Sequence, residues 1–447
     1  MQNKKIFLSI GLAICVFFIA NGYIHEFHKS ALLGVITLLI SMWSTNALAM
    51  GVVSLLPIVL FPALGILGTK ATAINYANPI IFLFLGGFLL AIGVEKTKLH
   101  IFIAEKILNI FPNTPKGMIF SLALTSGLLS SVLSNTTTTL LLISIALFLT
   151  NDIRLKMRFA LAIAYGANIG GILTPIGTPP NLVLLGIMNE MNLETIPFFT
   201  WMMLSAPLVI VMILFVAWLL SLGTDDIVIT RDVQQFSLNN EQKKVLFLLF
   251  GLITLLLVNA KIQPYWNGLG LNESAILLAS GLLLFMPPFN ILKWEDDFHK
   301  VPYAIIFLFG AGFSIAKGFA STGLADEIAT VLLSFTTLTP FLLLFAVATM
   351  ITFATEITSN TALISIMLPV LYSVAQKSGI DATLIMMVAT ICASYAFMLP
   401  IATPPNAIAM SSGAVKMTDM IRYGIILNFV GIMSIIIIAH FFWRYFI

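Results

Sequence analysis

Apolar residues run in long blocks along this chain, and polar residues gather between the blocks or at a few fixed points inside them. The blocks cover residues 31–67, 77–94, 117–150, 158–188, 201–222, 244–260, 273–290, 303–320, 340–376, 382–412 and 422–443. Many approach or exceed the ~18 residues that carry a helix across a bilayer. They do not alternate apolar with polar, which excludes a membrane β-barrel. Block 31–67 reads as two helices joined near Met50-Gly51. Residues 6–20, behind Lys4-Lys5, resemble a signal peptide but lack a small-x-small cleavage site, and read as a first transmembrane helix with its basic end in the cytoplasm. Stretches 99–111 and 324–336 are shorter and more polar, as expected of helices lying at the membrane interface. Residues 223–243, with Asp225, Asp226, Arg231, Asp232, Glu241 and Lys243, form a polar loop that extends to Lys244.

The polar points inside the blocks repeat. Ser134-Asn135-Thr136 is followed by Thr178-Pro179-Pro180-Asn181, and 225 residues later Ser359-Asn360-Thr361 is followed by Thr403-Pro404-Pro405-Asn406. The same offset aligns Ile81-Phe82-Leu83-Phe84 with Ile306-Phe307-Leu308-Phe309, and Gly87-Phe88 with Gly312-Phe313. The chain therefore holds two related halves, and a binding site made jointly by two repeats is expected.

Ser-Asn-Thr-Thr-Thr-Thr in the middle of 117–150 is a poor helix centre, because β-branched and short polar residues lose freedom or compete for the backbone there. The stretch predicts a re-entrant hairpin turning at residues 134–136, and 341–375 predicts another around 359–361. Non-helical backbone at that depth is tolerated only when buried in protein or lining a cavity. Around the first hairpin lie Lys96, Lys98, Lys106, Lys116, Arg154, Lys156 and Arg158; the equivalent regions of the second carry only Lys377. By the positive-inside rule the first hairpin opens to the cytoplasm and the second to the outside, so the halves are inverted.

Each Thr-Pro-Pro-Asn follows a further proline, Pro175 or Pro400. Prolines donate no N–H, so the helix must break. Its first half then ends on free carbonyls suited to a cation, and its second begins on N–H groups suited to an anion. Ser130 precedes Ser134 by four residues, as Thr355 precedes Ser359, so each pair can present two hydroxyls to one point. The carbonyls of Gly177 and Ala402 can complete each shell. Asn carboxamides and hydroxyls can also donate to carboxylates. Two facing tips suit a ligand with an anionic group at each end.

Composition narrows the classes. The chain has 447 residues, 59% hydrophobic and 9% charged, with a net charge of +3; this argues for a polytopic α-helical membrane protein and against a nucleic-acid partner. Cys15 and Cys392 lie in apolar segments and read as buried thiols, and no His stands at metal-ligand spacing. A channel would need a continuous polar stripe, and an intramembrane enzyme a nucleophile–base pair or metal motif; neither is present, so the chain reads as no enzyme. Glu356, whose repeat counterpart is Ser131, favours a structural hydrogen bond over direct coupling. Lys317 favours snorkelling or packing, and Gly86-Gly87 and Gly310-Ala311-Gly312 close helix contact.

The paired Ser-Asn-Thr motifs on opposed hairpins, each followed by Thr-Pro-Pro, and the segment Glu356-Ile357-Thr358-Ser359-Asn360-Thr361-Ala362 resemble the divalent anion:sodium symporter (DASS, INDY-type) family over about residues 30–443. The resemblance implies an all-α membrane protein of about 11 transmembrane helices plus two re-entrant hairpins, in two inverted-topology repeats with scaffold and transport domains. The expected layout is scaffold helices in 1–76, a first inverted repeat in 77–222 with its cytoplasm-facing hairpin at 117–150, and the polar loop 223–243. Further scaffold helices follow in 244–301, then a second repeat in 302–447 with its outward-facing hairpin at 341–375. It implies Na+-coupled uptake of C4-dicarboxylates such as succinate, malate and fumarate, by elevator-type alternating access of a homodimer in the lipid of the inner (cytoplasmic) cell membrane. It implies Na+ as coupling ion and no organic cofactor. A first Na+ site would comprise Ser130, Ser134, Asn135 and Gly177, and a second Thr355, Ser359, Asn360 and Ala402. Asn135, Thr136, Thr178, Ser359, Asn360, Thr361 and Thr403 would contact substrate. With no Arg or Lys in the motifs, bound Na+ would offset the dianion's charge. Some members are Na+-independent exchangers, so a dicarboxylate or citrate exchanger, or a sulfate or oxyanion carrier, stays open.

Overall fold

The computed structural model describes residues 2–224, 237–260, 266–334 and 339–446, and its regular elements are helices. The first half begins with α1 (Gln2–Ile24), α2 (Phe27–Thr45), α3 (Met50–Ala63), the short α4 (Thr69–Ala73) and α5 (Pro79–Lys96). Next come α6 (Leu99–Leu108), α7 (Pro115–Ser130), α8 (Asn135–Ala146), α9 (Ile153–Gly170), α10 (Pro179–Glu190) and α11 (Phe198–Ser221). The middle of the chain gives α12 (Asn240–Asn259), α13 (Glu273–Leu283) and α14 (Trp294–Asp297). The second half then repeats the order of α5–α11 as α15 (Tyr303–Thr322), α16 (Leu324–Ser334), α17 (Pro340–Ala354), α18 (Asn360–Ser378), α19 (Ala382–Cys392), α20 (Pro404–Ser411) and α21 (Met417–Phe441).

Among the described residues, six stretches are long and apolar enough to cross a membrane: Gln2–Ile24, Phe27–Thr45, Thr69–Lys96, Phe198–Ser221, Tyr303–Thr322 and Met417–Tyr445. They make the chain an integral membrane protein. Cys392 is buried as expected, but Cys15 is exposed, because few residues of α1 pack against the rest of the chain. Three of the four helices that start at the motifs, α8, α10 and α20, are shorter, while α18 has 19 residues. At 1.5 Å per residue, α7 and α8 reach only about 24 and 18 Å, short of a ~30 Å hydrocarbon core.

Local chemistry sets several boundaries differently from the sequence reading. The turn between α7 and α8 falls at residues 131–134, not 134–136. Ser134 caps α8 by accepting the Thr137 N–H at 3.1 Å, and the threonine run then forms the first turns of that helix. Helix α2 ends at Thr45 and α3 starts at Met50, so the joint is at Asn46–Ala49 rather than Met50-Gly51. In the polar loop, Asp225, Asp226, Arg231 and Asp232 lie outside the described residues. Glu241, Lys243 and Lys244 belong to α12, which Asn239 and Gln242 start with reciprocal side-chain-to-backbone bonds.

Small residues hold the first hairpin against α9. A Cβ on Gly166 would stand 2.5 Å from the Ala123 carbonyl oxygen, and one on Gly170 2.1 Å from that of Gly127. The two backbones touch, as small residues four apart allow in membranes. That contact brings α7 hydroxyls onto α9 carbonyls in step: Ser126 Oγ donates to Ile163 O at 2.6 Å and Ser130 Oγ to Ala167 O at 2.8 Å. The second half has Ile391 and Tyr395 at the equivalent positions, so α17 and α19 cannot meet in the same way.

Candidate functional site

The two tips have the same internal geometry. Ser130 Oγ lies within hydrogen-bond distance of both Asn135 Oδ1 and Ala167 O. Thr355 Oγ1 lies 2.7 Å from Asn360 Oδ1 and 2.8 Å from Ala393 O. Both hydroxyls are fully buried. A hydroxyl has one hydrogen, so it can satisfy only one of its two oxygen neighbours. Each tip thus packs three oxygens with too few protons between them. That is the donor set a hard cation wants, and the residues present fit one.

The breaks behind the tips are stapled by the last residue of each Thr-Pro-Pro-Asn motif. Asn181 Nδ2 donates to the carbonyls of Gly171 (3.1 Å) and Thr174 (2.9 Å). Asn406 Nδ2 donates to those of Ala396 (2.8 Å) and Leu399 (3.0 Å), which are the equivalent positions. In the first half Trp201 Nε1 takes Ile172 O at 2.9 Å, Ser205 Oγ takes Leu173 O at 3.0 Å, and Thr174 Oγ1 donates to Ser131 O at 2.5 Å. The carbonyls expected to serve a cation are therefore spoken for by side chains from residue 171 to 174, because a buried carbonyl without a partner is costly. Gly177 and Ala402, nearer the prolines, reach the cavity instead.

The second break is held by an additional group. Helix α19 ends at Cys392, three residues earlier than α9 by the repeat offset. The N–H groups of the segment that follows are taken by Glu356, whose Oε1 accepts from Phe397 and Met398 at 2.9 Å each and whose Oε2 accepts from Leu399 at 3.0 Å. Asn168, from the first half, donates through Nδ2 to Thr403 Oγ1 at 3.1 Å and Ala396 O at 3.3 Å, tying α9 to the second break.

A cavity of about 720 Å³, in the size range of small-molecule sites, joins the two tips. It is lined by Ser134, Asn135, Thr136 and Gly177-Thr178-Pro179 from the first half, and by Ser359, Asn360, Thr361 and Ala402-Thr403-Pro404 from the second. The end of α2 contributes Trp43 and Ser44, the joint after it Asn46, the end of α5 Glu95, and the turn after α14 Lys300. Helices α8, α10, α18 and α20 all start on this cavity, so four positive helix ends meet there. The expectation of free N–H groups after the breaks needs correcting for α10 and α20. Their first two residues are prolines, the Asn181 N–H goes to Thr178 O, and that of Asn406 goes to Thr403 Oγ1. The starts of α8 and α18 lack prolines, and Ser359 makes no cap bond with its side chain.

All seven residues expected to contact substrate thus line one cavity, and Ser130 and Thr355 stand just behind the two asparagines. Ser134 is engaged as a cap, with Oγ donating to Thr137 Oγ1 at 3.0 Å. Asn168, Asn181, Asn406 and Asn428 carry roles that the motifs alone do not assign. The recurrence of Asn at the end of both Thr-Pro-Pro motifs was the available signal for two of them; Asn168 and Asn428 have no repeat signature. Lys317 Nζ sits 3.9 Å from Glu190 Oε2, away from the tips. Gly86 meets the Leu277 backbone, as close packing requires.

Residues 36–391 match the family model described as citrate transporter, CitMHS. The sodium-dependent dicarboxylate transporter SdcS of Staphylococcus saprophyticus is 30% identical over 435 residues, covering 89% of this chain and 83% of that protein. SdcS of Staphylococcus aureus is 30% identical over 433 residues with the same shares. Among solved structures, the YdaH transporter of Alcanivorax borkumensis has a TM-score of 0.59 at 14% identity, over 83% of this chain and 88% of that one. Neisseria gonorrhoeae MtrF, described within a class of antimetabolite efflux pumps, has a TM-score of 0.59 at 13% identity, over 83% and 82%. At such identities these two share the fold alone.

Proposed function

Because this chain is a member of the divalent anion:sodium symporter family of dicarboxylate transporters, we propose that it couples dicarboxylate uptake to Na+. One observation carries the proposal: two proton-poor oxygen clusters, Ser130–Asn135–Ala167 and Thr355–Asn360–Ala393, flank one cavity on which four helix N-termini meet. The tips hold no cationic side chain, so a dianion between them would draw its compensation from bound Na+ and helix dipoles. Na+ and anion would then favour each other's binding, which is the coupling a symporter needs.

Two motif tips lining one cavity support an anion with a charged group at each end, read here as a C4-dicarboxylate such as succinate, malate or fumarate. The anion would meet Asn135, Thr136 and Thr178 at one end and Ser359, Asn360, Thr361 and Thr403 at the other. A monocarboxylate would leave one tip's donors unpaired, at roughly 1–3 kcal/mol each. The basic cluster around Lys96, Lys106 and Arg154 supports a cytoplasmic N-terminus and inverted repeats. Eleven spans, a homodimer in the inner membrane, and an elevator movement of the two hairpins and broken helices against the remaining helices complete the reading.

The test is uptake of labelled succinate into proteoliposomes, with and without an inward Na+ gradient. Na+-driven uptake, blocked by malate or fumarate and weakly by butyrate, is expected. Na+-independent counterflow would instead mean exchange. Absence of succinate uptake, with labelled sulfate taken up in its place, would mean an oxyanion carrier.

A further inference from the structure

We infer that Gly171 sets the room for the cation in the first-half site, which rests on the reading of that cluster as a Na+ site. The glycine is not needed for its backbone. Its φ of −58° and ψ of −20° are right-handed helical, a conformation alanine adopts with less freedom to lose. What a side chain would cost is space. A Cβ at 171 would stand 3.1 Å from Asn135 Oδ1, 3.3 Å from the Gly177 carbonyl oxygen and 3.3 Å from Thr178 Cβ. Two of these three nearest atoms are oxygens assigned to the ion.

Two further oxygens of the site, those of Ala167 and Ser130, are tied to the same residue. The Gly171 N–H donates to Ala167 O at 3.1 Å, and that carbonyl also receives Ser130 Oγ at 2.8 Å. Its own carbonyl is fixed by Asn181 Nδ2. Gly171 is thus anchored on both sides while its Cα faces Asn135 Oδ1 and Gly177 O. An ion that bridges those two oxygens needs both to turn toward it. A methyl in contact with both would prop them apart or occupy the ion's place. Gly170, one residue earlier, is a contrasting case: its missing Cβ makes room for the Gly127 backbone, 2.1 Å away, so that glycine serves helix packing. The second half carries Ala396 at the position equivalent to Gly171. There the helix has already ended and Glu356 holds the chain, so the two cation sites are inequivalent.

The experiment is thermal unfolding of the purified full chain without substrate, titrating NaCl against choline chloride at constant ionic strength. Na+-specific stabilisation of the parent is expected. Gly171→Ala is expected to melt in choline at or above the parent temperature, while its NaCl midpoint rises about tenfold, in line with adding a methyl to a packed site. Li+, the smaller ion, is expected to lose less than Na+ in this variant. Gly170→Ala is expected to melt lower in choline and NaCl alike. An unchanged Na+ midpoint in Gly171→Ala, beside a normal Na+ response of the parent, overturns the inference alone. Loss of cooperative melting of Gly171→Ala in choline also overturns it, since the glycine would then serve the fold. Absence of Na+-specific stabilisation in the parent overturns the Na+ reading of the site, and this inference with it.

Discussion

The Glu356 carboxylate accepts the side-chain amide of Asn428 at 2.8 Å, through the same oxygen that holds the Phe397 and Met398 N–H groups. Glu356 lies at the turn of the second hairpin, Asn428 on α21, and the three N–H groups in the break that leads to Thr403. One buried acid thereby joins three elements around the second tip. Its charge is met by N–H donors and a carboxamide, the arrangement that lets an ionised group persist in a low-dielectric interior.

Glu356→Gln is therefore expected to lower the melting temperature by several degrees. The amide keeps one acceptor and turns a donor toward N–H groups; bonds to charged acceptors contribute about 1.5–3 kcal/mol each. Asn428→Ala should give a smaller loss, and the double variant less than the sum, because both remove one shared bond. Additive losses would break the proposed link.

The two asparagine staples predict matching effects in the two halves. Asn181→Leu and Asn406→Leu each strip two buried carbonyls of a donor, costing roughly 2–4 kcal/mol. Both variants should melt lower and lose transport, with the break no longer fixed beside Gly177 or Ala402. Thermal unfolding and uptake check this; a loss in one half alone would contradict the equivalence of the staples.

The oxygen clusters predict a cation phenotype. Ser130→Ala and Thr355→Ala each remove one of three clustered oxygens. The apparent Na+ affinity for succinate uptake should fall about tenfold in either variant, with a smaller fall in succinate affinity because Asn135 and Asn360 face both the hydroxyl and the cavity. Unchanged Na+ dependence in both would remove these hydroxyls from the site.

The sequence was most informative where one repeat could be checked against the other. Ser-Asn-Thr and Thr-Pro-Pro stood out because polar residues and prolines recur at one offset inside apolar blocks, and the structure gathers them on one cavity. Helix boundaries were less legible. The run Thr136–Thr139 argued against a helix by propensity, yet a cap at Ser134 starts one there. The destinations of the break carbonyls were hidden as well, since Trp201 and Ser205 reach Ile172 and Leu173 from a different helix. Glu356 was visible as a membrane-depth acid, but its partners are 41 to 72 residues away in the chain.

Topology gives a direct measurement. Ile153 and Gln376 are both exposed, at the start of α9 and near the end of α18. With the exposed Cys15 replaced by serine, Ile153→Cys should react with impermeant thiol reagents from the cytoplasmic side only. Gln376→Cys should react from the outside only, as the asymmetry of basic residues requires. Labelling of both from one side would defeat the inverted arrangement.

Asp297 predicts a pH dependence of stability. Almost fully buried beyond α13, it is held by Lys96 at 2.5 Å, by Lys300 at 2.7 Å and by the Lys293 N–H at 3.0 Å. Burial by itself would push its carboxyl up, but the hydrogen bonds from Lys300, Lys96 and Lys293 outweigh it and hold the group well below the usual carboxylate range. The folded state thus binds this proton less readily than the unfolded state. The stabilisation is full above the ordinary carboxylate value of 3.8 and drains away as pH falls through that value toward the lower folded one. Asp297→Asn should melt a few degrees lower than the parent at pH 7, a modest loss because both lysines are partly exposed. As pH falls below about 3.8 the two melting temperatures should converge, since the parent alone has this carboxylate to protonate. A constant difference between parent and Asp297→Asn from pH 7 down to about pH 2 would show that the carboxylate's charge contributes nothing to this contact.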